Sequence, residues 1–236
     1  MKNGLTVDRG ENMKNRVSVI IPSLNEEENI GEALASVIAG DPFEVVVVDG
    51  GSTDRTIEIA RSYDGVTVTG AWRRGRAAQM NEGARMCSGD TLLFLHADST
   101  LPGGWSLLLG EKMRDDETIG GCFFVRLSGS RFIYRLIGWL INARTLLFRS
   151  FTGDQAMFMR REFFERTGGF PDVPLMEDLM MADRMRRGGR VEFIGKPVKT
   201  ASRKWERFGP VRTIFLMWYI KSLFRAGRPP KDLAPY

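Results

Sequence analysis

TLLFLHADST, at residues 91–100, is an apolar run that stops abruptly at His96, Ala97 and Asp98. An uninterrupted apolar run predicts a strand that is buried on both faces, as in a parallel sheet. Open α/β sheets bind their ligands beyond the carboxyl ends of such strands. The stretch therefore predicts a metal and diphosphate site at His96 and Asp98, and an ordinary strand followed by a polar turn is the alternative.

Strands and helices alternate through the first hundred residues. Three more apolar runs predict strands at residues 17–21, 44–48 and 66–69. Asn25, with Glu28 three residues later, is predicted to cap the first helix, and Thr53 or Asp54 the second. A third helix is predicted over residues 75–86. Because each crossover between parallel strands is right-handed, this alternation predicts an α/β, Rossmann-like fold whose mostly parallel central sheet has helices on both faces.

Length and composition favour one domain with an anionic partner. The chain has 236 residues, 43% of them hydrophobic, which suffices for one sizeable core. Its net charge of +5 suits a nucleotide diphosphate, a membrane surface or nucleic acid, without choosing among them. Cys87 and Cys122 lack metal-ligand spacing and imply no disulfide framework, which fits a reducing cytoplasm. Residues 1–14 lack an apolar signal segment and are predicted to be a disordered tail.

Several motifs occur together in one order, namely VSVIIPSLNEEENI (17–30), VVVVDGGSTDRT (45–56), GRAAQMNEGARMCSGDTLLFLHAD (75–98), GGF (168–170) and Glu177-Asp178. In this order they resemble family 2 glycosyltransferases of the GT-A fold, over about residues 17–195. The HAD variant and SRKWERFG (202–209) resemble a subgroup of small bacterial members associated with arsenosugar biosynthesis. The resemblance implies an inverting enzyme that moves a sugar from a nucleoside diphosphate sugar, with UDP favoured, to an acceptor hydroxyl.

The resemblance also implies which residues bind the nucleotide sugar: Pro22, Asn25, Glu26, Asp49, Arg76, His96, Ala97, Asp98 and Arg203. Asp49 would read the base, since a carboxylate accepts a hydrogen bond from a pyrimidine N–H, although an aspartate at a strand end is also a common turn residue. Arg76 would grip the diphosphate through its planar guanidinium. Arg73 or Arg74 could take its place, and a solvated Arg76 at a helix start is the plain alternative.

Two more segments are assigned by their position in the family pattern. Asn81, on the same predicted helix as Arg76, is expected to tie that helix to the loops at the strand ends. Arg203 and Arg207 lie in a basic segment that could close over the diphosphate, as flexible loops often do at such sites.

The predicted metal site departs from the usual D-x-D pattern. Asp98 matches the second acid, which coordinates Mg²⁺ or Mn²⁺ at the diphosphate. His96, the only histidine, stands where the first acid is expected. Three roles stay open for it: ligation of the metal, which would favour Mn²⁺, a hydrogen bond to ribose or phosphate, or a structural role.

Glu177 and Asp178 are the predicted catalytic residues. The resemblance implies that this acidic pair faces the acceptor and that Asp178 is the general base, taking the hydroxyl proton as the hydroxyl attacks the anomeric carbon opposite the diphosphate. The alternative is that both acids stabilise a helix amino terminus through the helix dipole.

The two parts of the single domain are predicted to divide the work. Residues 15–100 would form the nucleotide-binding half and residues 101–236 the acceptor-binding half, with Gly153-Asp154-Gln155 near the sugar and acceptor. Basic amphipathic helices are predicted at residues 131–149 and 211–225, both too short in apolar sequence to span a bilayer. Core packing is favoured for them over peripheral membrane contact. The acceptor is expected to be a small molecule or a lipid-linked one. The expected location is the cytoplasm, with a position at the inner face of the membrane as an alternative.

Other classes fit the sequence less well. A nucleotidyltransferase of related fold would be expected to carry a glycine-rich basic loop after the first strand, where this chain has PSLNEEE. A nicotinamide dehydrogenase needs G-x-G-x-x-G after an early strand, and this sequence has no such motif there. No nucleic-acid partner is expected, because the basic residues are dispersed and the acids in the predicted groove would repel phosphates in the absence of a metal. A nucleotide-binding protein without transferase activity stays an alternative.

Overall fold

A single eight-stranded sheet forms the centre of the protein in the computed structural model, which describes residues 16–73 and 75–233. The strands are β1 (Val17–Ser23), β2 (Glu44–Asp49), β3 (Val66–Gly70), β4 (Thr91–Phe94), β5 (Ser99–Thr100), β6 (Thr118–Leu127), β7 (Phe158–Arg160) and β8 (Arg190–Thr200). Their order across the sheet is β3-β2-β1-β4-β7-β6-β8-β5. The tail predicted at residues 1–14 lies outside the described residues.

Helices connect these strands and cover both faces of the sheet. They are α1 (Ile30–Ile38), α2 (Thr56–Arg61), α3 (Arg76–Met86), α4 (Trp105–Lys112), α5 (Phe132–Phe148), α6 (Arg161–Arg166), α7 (Glu177–Gly188), α8 (Arg203–Phe208) and α9 (Pro210–Arg225). A 3-10 turn, Gly153–Gln155, precedes β7. A second such turn, Pro230–Asp232, follows α9.

The four strands of the first half are parallel, as predicted. β1 lies between β2 and β4, with Ile20 paired to Val46 on one side and to Phe94 on the other. Successive residues alternate between two cores: Val19 and Ile21 join the core under α1, and Ile20 joins the core under α3. Because helices cover both faces, these strands are apolar throughout rather than at every second position. The predicted α/β fold is confirmed.

The second half contains three strands that the sequence pattern did not predict, β5, β6 and β8, whereas a strand was predicted over residues 156–159, where β7 lies. β7 runs antiparallel to both β4 and β6, and the long strands β6 and β8 are parallel to each other. The two-residue strand β5 follows the His96–Asp98 segment and pairs antiparallel with the end of β8, where Ser99 lies opposite Thr200. The sheet therefore curls, because β5, the strand at its far edge, directly follows β4 in the chain and so brings the end of β8 close to the end of β4.

The predicted cap at Asn25 is wrong. Asn25 has a left-handed backbone, with φ of 53°, and its Oδ1 accepts the amide of Thr53 from the next loop at 2.9 Å. α1 begins five residues later, at Ile30. The side chain joins two loops instead of satisfying a helix end. At the second helix, Asp54 rather than Thr53 accepts the amide of Thr56, the first residue of α2.

The amphipathic segments became α5 and α9, and the expected core packing accounts for only one face of each. On α5, Tyr134 and Ile137 are buried against Leu127 and Trp205. Other apolar side chains of α5 and α9 are exposed. Within the described part of the chain, no helix combines the length and the apolar character needed to cross a bilayer.

Replacing Gly121 with alanine tests the close spacing around β6. Gly121 pairs with Phe158 on one side and Glu192 on the other, and a Cβ there would collide with the Glu192 carbonyl oxygen. Because that contact is backbone, which cannot swing away, we expect Gly121→Ala to lower the free energy of unfolding by about 2 kcal/mol or more in urea denaturation. Gly103→Ala is the control, since no atom lies within 4 Å of its added Cβ. Equal stability of the two variants would contradict the packing described.

Candidate functional site

A cavity of about 260 Å³ lies at the carboxyl edge of the sheet, where the two halves of the chain meet. Four predicted site residues line it: Arg76, His96, Asp98 and Asp178. Arg76 comes from the start of α3, His96 and Asp98 follow β4, and Asp178 lies in the first turn of α7. An apolar wall that includes Leu127, Trp205 and Met217 faces them. The sequence motifs therefore converge although about 100 residues separate Arg76 from Asp178.

Gly153 holds the Asp178 carboxylate beside His96. Its amide donates to Asp178 Oδ2 at 2.8 Å, and the amide of Leu179 donates to Oδ1 at 2.7 Å. A Cβ at position 153 would lie 2.8 Å from His96 Nε2, so a residue without a side chain is needed for this approach. Two backbone amides thus orient the Asp178 carboxylate.

Glu177 lies behind the cavity, where it binds Arg76. The distance from Arg76 Nε to Glu177 Oε1 is 2.5 Å. The Glu177 side chain is only 2% exposed, whereas that of Arg76 is 41% exposed and lines the cavity. A buried carboxylate paired in this way fixes the position of the guanidinium. The geometry therefore separates the two predicted catalytic acids: Asp178 lines the cavity, and Glu177 positions Arg76.

His96 is held in a strongly charged environment. Burial and the Arg76 guanidinium lower the pKa of His96 from its ordinary value. Three carboxylates act in the opposite direction, those of Asp98, Asp154 and Asp178. A lowered pKa favours the neutral imidazole near pH 7, which has a lone pair free to bind a metal or accept a hydrogen bond.

The residues around Asp98 fit a divalent cation held mainly by its substrate. Among residues 16–73 and 75–233, no cluster of three or more histidine, cysteine, aspartate or glutamate side chains forms a cage for a metal. Mg²⁺ at a diphosphate does not need one, because one or two protein carboxylates, phosphate oxygens and water complete its shell. Asp98, with His96 in the same cavity, is such a donor set.

Arg203 links the first loop of the chain to the Asp98 region. Its Nη2 lies 2.6 Å from Glu26 Oε2. The hydrogen bond that Arg203 donates to the Glu26 carboxylate raises the pKa of Arg203, and the charge of Asp98 adds to this effect. Arg203 is about half exposed, and neither it nor Glu26 belongs to the cavity wall. Two predicted nucleotide-binding residues, Glu26 and Arg203, are therefore bonded to each other.

Asp49 lies at the same sheet edge, outside the cavity wall. Its Oδ2 accepts the amides of Gly51 and Ser52 at 2.8 and 2.9 Å, and its Oδ1 accepts the Ser52 hydroxyl at 2.5 Å. These contacts realise the turn role that was the alternative for this residue. The cavity wall also excludes Pro22 and Ala97, which are both buried, and the exposed Asn25.

The other residues singled out around α3 have structural partners. Asn81 accepts the amide of Phe170 and donates to its carbonyl, both at 2.8 Å, so it ties α3 to the GGF loop. Arg73 forms an ion pair with Asp172, away from the cavity that Arg76 lines. Arg74 lies outside the described residues. Of the three arginines considered for the diphosphate, the structure places Arg76 in the cavity.

Two functional residues were missed or only loosely placed. Gln79 is buried on α3, and its Nε2 donates to the carbonyls of Ser23 and Val48 at 2.8 and 2.9 Å, which joins the ends of β1 and β2. A glutamine among the alanines and methionine of the buried face was the available signal. Asp154 lines the cavity and accepts the Thr152 hydroxyl. The sequence placed it only in the neighbourhood of the acceptor.

Comparison with known proteins gives a consistent result. The family described as "Glycosyl transferase family 2" matches residues 18–169. A "PGL/p-HBAD biosynthesis glycosyltransferase" of Mycobacterium bovis is 32% identical over 166 residues, which cover 65% of this chain and 62% of the relative. "Probable glycosyltransferase YdaM" of Bacillus subtilis is 29% identical over 203 residues, which cover 74% of this chain and 48% of the relative. The chain thus spans less than two thirds of the length of these relatives.

Solved structures share the fold. The mannosyltransferase PcManGT from Pyrobaculum calidifontis, in complex with GDP-Man and Mn²⁺, has a TM-score of 0.63 and 25% identity, covering 93% of this chain and 67% of its own. S. aureus TarS 1-349 in complex with UDP-GlcNAc has a TM-score of 0.63 and 21% identity, covering 79% of this chain and 58% of its own. The architecture is therefore that of GT-A glycosyltransferase structures.

Replacing Glu177 with glutamine tests the ion pair behind the cavity. The change keeps the shape but removes the charge, so a charge-assisted hydrogen bond becomes a neutral one. We expect Glu177→Gln to lower the free energy of unfolding by ~1–2 kcal/mol in urea denaturation, a value reduced by the partial exposure of Arg76. Glu58→Gln, which breaks the exposed pair with Arg55, should cost less than ~0.5 kcal/mol. Equal losses in the two variants would show that Glu177 has no special role.

Proposed function

Because the chain belongs to glycosyltransferase family 2, we propose that it transfers a sugar from a nucleoside diphosphate sugar to an acceptor hydroxyl, with inversion of the anomeric carbon. One observation carries this proposal: Arg76, His96 and Asp98 share one cavity with Asp154 and Asp178. Groups suited to a diphosphate thus lie beside carboxylates suited to take a proton. Residues 15–100 supply the donor side apart from Arg203, and residues 101–236 supply the acceptor side.

The donor side is assigned by charge and geometry. Arg76 binds the diphosphate, because its guanidinium is fixed by Glu177 and still lines the cavity. The first loops, with Pro22, Asn25 and Asp49, hold the nucleoside, and the Arg203 segment closes beside Glu26. Asp49 would reach the base with the acceptor capacity that its turn contacts leave.

A divalent cation, Mn²⁺ or Mg²⁺, would be held by Asp98, with His96 as a further ligand or as a hydrogen-bond partner of the sugar phosphate. When bound, it would stabilise the negative charge that develops on the leaving diphosphate. PcManGT binds GDP-Man and Mn²⁺ in the solved structure, which supports this assignment. Ala97 lies between His96 and Asp98 in the chain, and its own side chain is part of the core.

The acceptor side depends on Asp178. Its carboxylate lines the cavity and is oriented by the amides of Gly153 and Leu179. As general base, it takes the proton of the acceptor hydroxyl while the hydroxyl oxygen attacks the anomeric carbon. The C–O bond to the diphosphate breaks on the opposite side, which inverts the configuration. Asp154 lies in the same wall, placed to bind a sugar or acceptor hydroxyl.

The finer parts of the assignment stay predictions. These are a UDP-sugar as donor, a small-molecule or lipid-linked acceptor, a cytoplasmic location and the link to the bacterial subgroup associated with arsenosugar biosynthesis. A screen of UDP-, GDP-, CDP-, ADP- and dTDP-sugars, scored by release of the nucleoside diphosphate, identifies the donor. A protein that binds a nucleotide sugar but neither transfers the sugar to an acceptor nor releases the nucleoside diphosphate would be a nucleotide-binding protein instead.

Replacing Asp178 with asparagine tests the general base. Asparagine keeps the size of the side chain but cannot take the proton, so we expect kcat to fall by about 10²–10⁴-fold while donor affinity stays within about twofold. The control is Asp183→Asn on the same helix, where the carboxylate forms exposed ion pairs with Arg186 and Arg187. Undiminished turnover of Asp178→Asn in the diphosphate-release assay would remove Asp178 from this role.

Replacing Asp98 with alanine tests the metal site. We expect titration calorimetry with the nucleoside diphosphate chosen by the screen to show affinity about tenfold lower or more in the presence of Mn²⁺, a change of ~1.4 kcal/mol. In EDTA the variant and the wild type should bind alike. Asp90→Ala, an exposed position next to the start of β4, is the control. Wild-type affinity with Mn²⁺ in Asp98→Ala would refute the assignment.

A further inference from the structure

The outer face of α5 and α9 exposes an unusual amount of apolar surface. Its exposed apolar residues are Phe132, Leu136, Trp139, Leu140, Leu146, Leu147, Phe148, Val211, Ile214, Phe215, Trp218 and Tyr219. Trp139 is 64% exposed and Phe215 is 68% exposed. We call this set the α5–α9 face. Soluble chains seldom expose large contiguous apolar patches except where a partner binds.

The same two segments concentrate the positive charge of the chain. Residues 131–149 and 210–228 contain eight of the 34 lysines and arginines and none of the 29 acidic residues. The rest of the chain has 26 basic and 29 acidic residues and is therefore net negative. On α5, Arg131 and Arg135 are exposed beside the aromatic side chains. The overall excess of +5 thus comes entirely from the elements that carry the apolar face.

A groove joins this face to the catalytic cavity. It has a volume of about 480 Å³ and lies between α5 and α9, with Leu140, Phe148 and Trp218 in its walls. Five of its lining residues also line the catalytic cavity: Thr152, Asp154, Trp205, Met217 and Lys221. The groove and the catalytic cavity therefore share a wall, and the groove opens at the α5–α9 face.

We propose that the α5–α9 face binds the surface of an anionic lipid bilayer. Tryptophan, tyrosine and phenylalanine insert at the boundary between headgroups and acyl chains, and arginine and lysine bind the anionic headgroups. Binding to a bilayer does not depend on the proposed sugar transfer. If the two are combined, the acceptor is a lipid whose hydroxyl reaches Asp178 through the groove, and this last step rests on the proposed function.

The charge distinguishes a bilayer from other partners. A second copy of the chain would bring two strongly basic faces together, and their mutual repulsion opposes such a dimer. A nucleic acid would satisfy the arginines but not the leucine, isoleucine and valine side chains, which find no apolar partner along a phosphate backbone. An anionic bilayer supplies both kinds of contact at one surface.

Cosedimentation with vesicles tests the inference. The full chain is mixed with vesicles of phosphatidylglycerol and phosphatidylcholine in equal parts, and with vesicles of phosphatidylcholine alone. We expect about tenfold or tighter binding to the anionic vesicles, weakened by added salt. Trp139→Glu combined with Phe215→Glu should reduce that binding by about tenfold or more, whereas Leu107→Glu, at an 80% exposed position on α4, should leave it unchanged.

A second variant covers the case in which the first does not fold. Arg131→Ala combined with Arg135→Ala removes exposed charge without touching the apolar face, and should weaken binding to the anionic vesicles only. No binding, equal binding to both vesicle types, or an equal loss in Leu107→Glu would overturn the proposal. So would a dimer in sedimentation velocity that Trp139→Glu abolishes.

Donor binding separates this inference from the proposed function. Neither double variant replaces a residue assigned to the site, so calorimetry of nucleoside diphosphate with Mn²⁺ should be unchanged. Vesicle binding without any nucleotide binding would sink the transferase and leave the bilayer contact standing. Nucleotide binding without vesicle binding would overturn the bilayer contact and leave the proposed transferase function standing.

Discussion

The short pairing of β5 with β8 is the constraint on which the site depends. Only two residues pair, yet the Ser99 hydroxyl donates to Thr200 Oγ1 at 2.9 Å in the interior, and the amide of Ala201 donates to the Asp98 carbonyl at 3.1 Å. These bonds hold the segment after β4 against the end of β8. Thr200 and Ala201 therefore line the cavity together with Asp98.

Charge is sorted over the molecule in a way that suits two different partners. The cavity gathers Asp98, Asp154 and Asp178 around His96, and Arg76, which Glu177 fixes from behind, lines the same cavity. Carboxylates that share one cavity favour a bound cation, and such a cation would let the cavity accept the proposed diphosphate. The positive excess lies elsewhere, on α5 and α9, beside exposed aromatic side chains. An anionic surface is thus attracted to one face while the acids of the cavity stay near the substrate.

Local patterns predicted the first half well, because its strands are buried on both faces and each is followed by a recognisable helix. The same patterns failed where a polar side chain bonds to a distant loop. Asn25 resembles a helix cap but joins Thr53, and Gln79, which was not singled out from the sequence, joins β1 to β2. β6 and β8 escaped notice because the glycines of β6 and the polar residues of β8 break the apolar run that marks a buried strand.

By itself, the sequence determined the α/β class, the parallel direction of the first strands and the candidate residues at their ends. These features follow from hydrophobic periodicity and from motifs, which are properties of neighbouring positions. The tertiary structure alone decided which candidates meet: Asp178 beside His96, Glu177 behind Arg76, and Asp49 bound within its own turn. It also decided that much of α5 and α9 stays exposed. Both outcomes depend on contacts between residues far apart in the chain. Which of these residues come into contact is decided by the path of the whole chain rather than by any local pattern.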